Sequence, residues 1–364
     1  MNNIEKVLNL TKYDLQASCL EYNGNSIHIN NGYVFCYIDF DTSLKILRIS
    51  NDKNIICKYV TEKNMSDCYK PYITNNAVYH LYNKMNEKPR ILIDDYNLVR
   101  ITDITLANFN KIFRLCYFHN SILTICSIGH EMVLSRIAEN GLIYWNYSTS
   151  INLMSSINIL GNDKIIVGIV DKNGKQNGYH IININGNLEK VIHIKNEGNY
   201  SNYQKPIMNN ELDKLLFYSY IHNQEEVLTR AIIVNNNGTI YKNIEIEKIC
   251  RIFLLFNEKY IYFVTDILSN KCICRFNYID NIIEARIMID PESSPYVLIY
   301  KIIKQDNNIV VISIYEGYFR ITCYNETFLV IWSHKFQNEL IDADFFDNYI
   351  YYLTNDNIAI YKIL

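Results

Sequence analysis

The residues with the most direct chemical potential are Asp342 and Asp344, two carboxylates two positions apart in an apolar run. In an extended strand that spacing puts both on one side. Paired carboxylates can hold a cation or divide the roles of acid and base. They can equally be wall residues standing in water. Asp94-Asp95, another acidic pair, reads as a turn. Histidines stand at 28, 80, 119, 130, 180, 193, 222 and 334. None has the helical i, i+4 partner of a zincin motif, and isolated histidines read as structural or solvated. The ten cysteines are at 19, 36, 57, 68, 116, 126, 250, 272, 274 and 323, with no C-x-x-C pair to suggest a zinc knuckle. Cys272 and Cys274 would share one strand face. Most of the cysteines lie in apolar runs, where Cys behaves as a small hydrophobe, so the set reads as buried free thiols in a reducing compartment. Neither Gly-rich phosphate loop is present, and G-x-S-x-G is missing too. The sequence therefore assigns no metal, no cofactor and no catalytic residue, and leaves enzymatic activity undecided.

The elements that would position such residues are strands. Apolar residues make up 49% of the 364, ample for a sizeable core, and the net charge of −3 provides no long-range attraction to nucleic acid or an anionic membrane. There are 31 Tyr against 2 Trp. Together with abundant Asn, Ile and Lys, that is the signature of an AT-rich genome. A second reading of the tyrosines is a sugar-binding surface, because an aromatic face with a polar tip suits half-wet contacts. The first ten residues lack the basic start and apolar centre of a signal peptide, and no apolar run approaches the length of a membrane span. The expectation is a cytoplasmic protein without membrane insertion.

Short runs rich in Ile, Val, Tyr and Phe alternate with Asn, Asp and Gly, which is a strand-and-turn pattern. One turn-plus-strand unit recurs, with strands at 33–40, 77–82, 121–126, 164–170, 214–220, 259–264, 308–314 and 348–353. The turns before them include Asn30-Asn31-Gly32, Asn75-Asn76, His119-Asn120 and Gly161-Asn162-Asp163, which suit the φ > 0 positions of tight hairpins. A period of 40–50 residues with four strands in each is that of propeller blades. The predicted fold is all-β: a single closed β-propeller over residues 1–364 with eight four-stranded blades, or seven if one start is spurious. After Glu339 only three strands remain, so the N-terminal segment 1–24 should complete the last blade, from within 4–10 or 15–22. Residues 11–19 could also hold a helical turn.

Two kinds of fragment resemble the quinoprotein-like propeller repeat. Glu139-Asn140-Gly141-Leu142-Ile143-Tyr144-Trp145 is similar to that family's Gly-entered, Trp-bearing outer strand, and Phe328-Leu329-Val330-Ile331-Trp332-Ser333 matches without the Gly. Asn185-Gly186-Asn187-Leu188 and Asn237-Gly238-Thr239-Ile240-Tyr241 keep the turn without the Trp. Lys70-Pro71-Tyr72-Ile73-Thr74-Asn75-Asn76-Ala77-Val78-Tyr79 is similar to the family's inner-strand entry, with echoes at Pro206 and Pro295. The resemblance implies architecture, with Trp145 and Trp332 packed in the outer parts of two blades. The adjacent cysteine pair of the quinone-dependent dehydrogenases is absent, so neither the quinone nor redox chemistry is implied. WD and kelch repeats fit less well, since the chain has no Trp-Asp dipeptide and no Gly-Gly pair.

Propellers usually bind ligands at one face, near the entries to the inner strands. Here those entries are Tyr69, Lys70, Arg114, Tyr203, Lys205, Arg251 and Tyr296, joined by Asp342 and Asp344. Such an aromatic and cationic set suits a carboxylate, a phosphate or a peptide. It is also what exposed loops look like without a ligand. The functional expectation is a non-catalytic binding or scaffold propeller facing a protein or peptide partner. The alternatives are a channel-face hydrolase or lyase acting on a sugar or peptide, and a glycan-binding, lectin-like propeller.

Overall fold

A computed structural model describes residues 4–11, 28–30, 33–40, 43–50, 54–62, 66–68, 72–84, 86–149, 153–170, 176–193, 207–209, 213–222, 227–235, 237, 239–246, 250–256, 258–267, 270–289, 297–305, 308–337, 340–346, 349–354 and 357–363. Among them every regular element is a strand, and no helix is long and apolar enough to cross a membrane. The strands form eight antiparallel sheets, each the blade of a β-propeller. Blade 1 is His28–Asn30, Tyr33–Phe40, Ser43–Ser50 and Ile55–Glu62. In blade 2 a first strand in two pieces, Ser66–Cys68 and Tyr72–Ile73, precedes Val78–Lys84, Arg90–Asp94 and Arg100–Thr105. Blade 3 is Lys111–Tyr117, Ser121–Ile128, Glu131–Ala138 and Ile143–Ser148, and blade 4 is Leu153–Leu160, Lys164–Val170, Gln176–Asn183 and Leu188–His193. Blade 5 is Ile207–Met208, Lys214–His222, Val227–Asn235 and Ile240–Ile246. Blade 6 is Cys250–Phe256, Tyr260–Ile267, Asn270–Asn277 and Ile282–Met288. Blade 7 is Leu298–Gln305, Asn308–Tyr315, Tyr318–Tyr324 and Val330–Phe336.

In blade 8, Leu340–Phe346, Tyr349–Thr354 and Asn357–Ile363 are joined by the N-terminal strand Ile4–Thr11, which pairs antiparallel with Asn357–Ile363. Val7, Leu8 and Leu10 pack against a core that holds Val34, Leu47 and Ile49 of blade 1 and Tyr351, Leu353, Ile358 and Ile360 of blade 8. Of the two segments expected to supply this strand, the first does so. Segment 15–22 and the helical turn expected at 11–19 lie almost wholly outside the described residues, apart from Thr11, which ends the strand.

By their internal packing the strands form two compact units: residues 1–144 with 337–364, and residues 145–336. In both, the described second strands carry a continuous buried run that is mostly apolar. Ile165–Ile169 of Lys164–Val170 is one such buried run. Fourth strands alternate instead, as in Ile143–Ser148, whose even positions are exposed. Alternation of this kind marks a strand with one wetted face.

The first strand carries a bulge near its start in blades 3, 4, 6, 7 and 8, at Phe113, Ser155, Arg251, Tyr300 and Ile341. A bulge adds one unpaired residue and turns the side chains beyond it. The turn between third and fourth strands also repeats. In blades 2, 3, 4 and 7 the N–H of Asp95, Ala138, Asn183 or Asn325 donates to the carbonyl four residues on, at 2.8–3.0 Å. The residue before that carbonyl has φ of 58° (Leu98), 89° (Gly141), 85° (Gly186) or 64° (Phe328). This explains why the repeat asks for Gly, which alone enters that region without a Cβ penalty.

Leu98 and Phe328 break the rule and use the side chain. Leu98 is buried against Phe35 and Ile46 of blade 1. Phe328 meets Tyr262 of blade 6 edge-on at 6.4 Å between centroids, and the Arg275 guanidinium lies over its ring at 5.3 Å. Packing here offsets strain. Phe328→Ala keeps the strain and loses the contact, so it should cost more stability than Phe328→Gly, by about 1 kcal/mol. Urea unfolding of the two variants reads the order, and the reverse order contradicts this account.

Candidate functional site

A groove of about 560 Å³ opens in the first unit between blades 2 and 3, at the strand ends that carry the first-to-second and third-to-fourth turns. Its blade 2 wall begins at Tyr72–Ile73. The following turn is held by Thr74, whose Oγ1 accepts from the N–H of Asn76 at 3.3 Å and of Ala77 at 3.1 Å. That arrangement leaves Asn75 and Asn76 exposed at the rim. The blade 3 wall contains Tyr117 and Asn120, which belongs to the hairpin turn that follows. His119 and Asn120 have φ of 48° and 53°, the paired positive values of a type I′ turn.

Tyr79 and Glu139 close the groove between the two blades. The Tyr79 hydroxyl donates to Glu139 Oε1 at 2.8 Å. The Tyr79 and Tyr117 rings lie 5.3 Å apart, tilted by 38°, and the Tyr117 hydroxyl donates to Asn120 Oδ1 at 3.4 Å. Tyr72 lies behind them, with the Cys116 thiol donating to its oxygen at 3.7 Å. Burial pushes the phenols of Tyr72, Tyr79 and Tyr117 up. For Tyr79 the hydrogen bond to Glu139 and that residue's negative charge add to the rise; for Tyr117 the Glu139 charge is the next cause. All three are neutral hydroxyls at physiological pH. The groove thus offers phenol and amide groups around a single carboxylate, Glu139, and no Lys, Arg or His is among the described residues that line it.

Of the residues singled out from the sequence, Arg114 is exposed in the first strand of blade 3, just past the bulge, and its Nη1 donates to the Phe113 carbonyl at 3.3 Å. Arg251 is the bulged residue of the first strand of blade 6. Asp342 is buried and Asp344 half-buried in the first strand of blade 8, two apart beyond the bulge. Each carboxylate accepts from the next backbone amide, Ala343 N–H at 2.8 Å and Phe345 N–H at 3.0 Å. Tyr69, Lys70, Tyr203, Lys205 and Tyr296 lie outside the described residues. The described lining of the groove consists of other residues, of which Tyr72, Tyr79 and Glu139 all belong to fragments that carry the family resemblance.

Asp94, expected in a turn, ends a strand instead and is buried. It accepts from His80 Nε2 at 3.0 Å and from Arg100 Nε at 2.5 Å. His80 and Asp94 are each 1% exposed. This pair has the atoms of an acid–base dyad but serves the interior of blade 2. Cys116, Cys126, Cys272, Cys274 and Cys323 are free thiols, and all but Cys116 are buried. Burial pushes the Cys126 thiol up to about 12, so it stays protonated.

The expectation for Trp145 holds. It is half-buried in the outer strand of blade 3, and its Nε1 donates to the Ile184 carbonyl of blade 4 at 2.9 Å. Trp332 is half-buried in the outer strand of blade 7.

No family model matches the chain, and no curated protein matches it in sequence. Solved structures do. A structure of the Dos1 propeller superimposes with a TM-score of 0.64 at 9% identity, over 99% of this chain and 95% of that one. BamB from Moraxella catarrhalis gives 0.61 at 10% identity over 99% of both chains. A europium-containing methanol dehydrogenase gives 0.59 at 7% identity, over 99% of this chain and 93% of that one. At such identities the likeness establishes the fold, a β-propeller, and supports the quinoprotein-like resemblance at the level of architecture.

Proposed function

We propose that the protein is a non-catalytic binding propeller that presents one face to a protein or peptide partner. The observation that carries this reading is the groove between blades 2 and 3. Its volume suits a few residues of an extended segment. Its lining combines half-buried tyrosines with exposed amides, the mixture that gives large contact area at low entropic cost in recognition surfaces. The neighbours in fold range from BamB to a methanol dehydrogenase, so the reading rests on the site and not on analogy.

Site-specific photocrosslinking tests it. Benzoylphenylalanine at position 102, on the groove wall, should give adducts with a small, reproducible set of polypeptides in the native source. The same group at position 190, on the exposed outer strand of blade 4, should not. Equal adducts from both positions, or none from the groove, would overturn the reading. The tyrosine lining also favours a glycan as alternative ligand, which a glycan array with saturable, Tyr117-dependent binding would establish.

A further inference from the structure

We infer that the groove between blades 2 and 3 recognises a cationic side chain, the lysine or arginine of a partner segment, with Glu139 as its counter-charge. The inference rests on the binding reading above and adds the chemistry of what is bound.

Three observations converge on it. The first is charge. Glu139 is the single charged group among the described residues of the groove, and it is exposed at the rim. Three other glutamates each have a cation from the chain itself: Glu189 has Lys164, Glu245 has Arg230, and Glu284 has Lys259 and Arg275. Glu139 forms no ion pair with any described Lys, Arg or His, and is held instead by the Tyr79 phenol. A neutral donor orients a carboxylate without cancelling its charge, so the attraction remains for a ligand.

The second is the aromatic surround. Half-buried Tyr117 stands beside the carboxylate and Tyr72 lines the same groove, and a cation seated near a carboxylate and against an aromatic face gains from both the charge and the ring quadrupole. The protein already uses this pairing internally. The Arg48 guanidinium lies 4.9 Å over Tyr33, and Arg275 lies 4.9 Å over Tyr260. The third is Ile101, which lines the groove and is 60% exposed. An exposed aliphatic surface in the same groove as a carboxylate suits the methylene stem of Lys or Arg.

The test uses the full chain and four blocked pentapeptides, Ac-Gly-Gly-X-Gly-Gly-NH2, with X as Lys, Arg, norleucine or Glu. Binding is followed by chemical-shift changes of the Tyr and backbone signals. The Lys and Arg peptides should saturate in the millimolar range, and the norleucine peptide should bind about tenfold more weakly. Glu139→Gln, which keeps an acceptor for Tyr79, should weaken the Lys peptide about tenfold with an unchanged melting curve. Raising the salt concentration should weaken the wild-type complex but not the Glu139→Gln complex. Norleucine or Glu binding as tightly as Lys, an unaffected Glu139→Gln variant, or no saturable binding by any of the four would overturn the inference. Groove crosslinks to a partner through an acidic or apolar segment would leave the binding reading intact while removing the cation, so the two can fail separately.

Discussion

Deletion of residues 1–11 should lower the melting temperature by roughly 10 °C and shift the chain to species larger than those of the full-length protein. The strand Ile4–Thr11 supplies the fourth position of blade 8, and its loss uncovers the backbone of Asn357–Ile363 along the whole pairing. It also removes the half-buried Val7, Leu8 and Leu10 from a core shared by blades 1 and 8, and the 2.7 Å hydrogen bond from Asn357 Nδ2 to Asn9 Oδ1. Three such side chains are worth about 1 kcal/mol each or slightly more. The uncovered edge is then a template for pairing with another chain. Thermal melting and size-exclusion of the truncated and full-length chains measure this. A synthetic peptide of residues 1–11 added in excess should restore part of the lost stability. An unchanged melting temperature with no larger species would show that the N-terminal strand does not hold blade 8 together.

The second large effect concerns Gly186. Its φ is 85°, and a Cβ placed there would stand 2.6 Å from Cδ2 and 2.8 Å from Cγ of Trp145. Gly186→Ala therefore adds backbone strain of about 1 kcal/mol and forces the indole off the turn, for a total of about 3 kcal/mol. Trp145→Ala removes a half-buried indole and leaves the Ile184 carbonyl without its Nε1 donor, at about 2–3 kcal/mol. The two losses should not add. With the indole gone the new methyl loses its three nearest contacts, and Gly186→Ala should cost little beyond the backbone strain. A double-mutant cycle in urea should show a coupling of about 2 kcal/mol, and additive losses would place the indole elsewhere.

Much of the architecture could be read before any coordinate. The second strands were expected at 33–40 and 164–170, and Tyr33–Phe40 and Lys164–Val170 are strands with those bounds. They are legible because each combines a turn rich in Asn, Asp or Gly with a mostly apolar run. Both signals are local. The first strand of blade 2 was harder, since it is split into Ser66–Cys68 and Tyr72–Ile73 with Pro71 between them, and Pro cannot donate to a ladder. The positive φ at Leu98 and Phe328 was invisible, because those turns have the repeat's hydrogen bonds without its Gly and compensate through contacts with another blade.

The groove was not legible for a similar reason. Tyr79 and Glu139 are 60 residues apart and meet only because the second strand of one blade faces a turn of the next. His80 and Asp94 are 14 apart and face each other across a hairpin, which needs the register to be known. Charge and composition carry no trace of either pairing. Of the candidates chosen as strand entries, Arg114 stands near the start of its strand, just past the bulge, whereas the groove is lined from the turn that follows that strand.

The most direct test of the binding account is amide hydrogen exchange of the full chain, alone and with the partner captured from position 102. The account predicts slowed exchange confined to residues 72–79, 101–102, 117–120 and 138–142, the segments that line the groove and the turns they belong to. It also predicts that Glu139→Gln reduces that protection at a given partner concentration. Protection that falls instead on the outer strands, such as Leu188–His193, or on the bulged first-strand starts near Arg114 and Arg251, with none at 72–79, would contradict it.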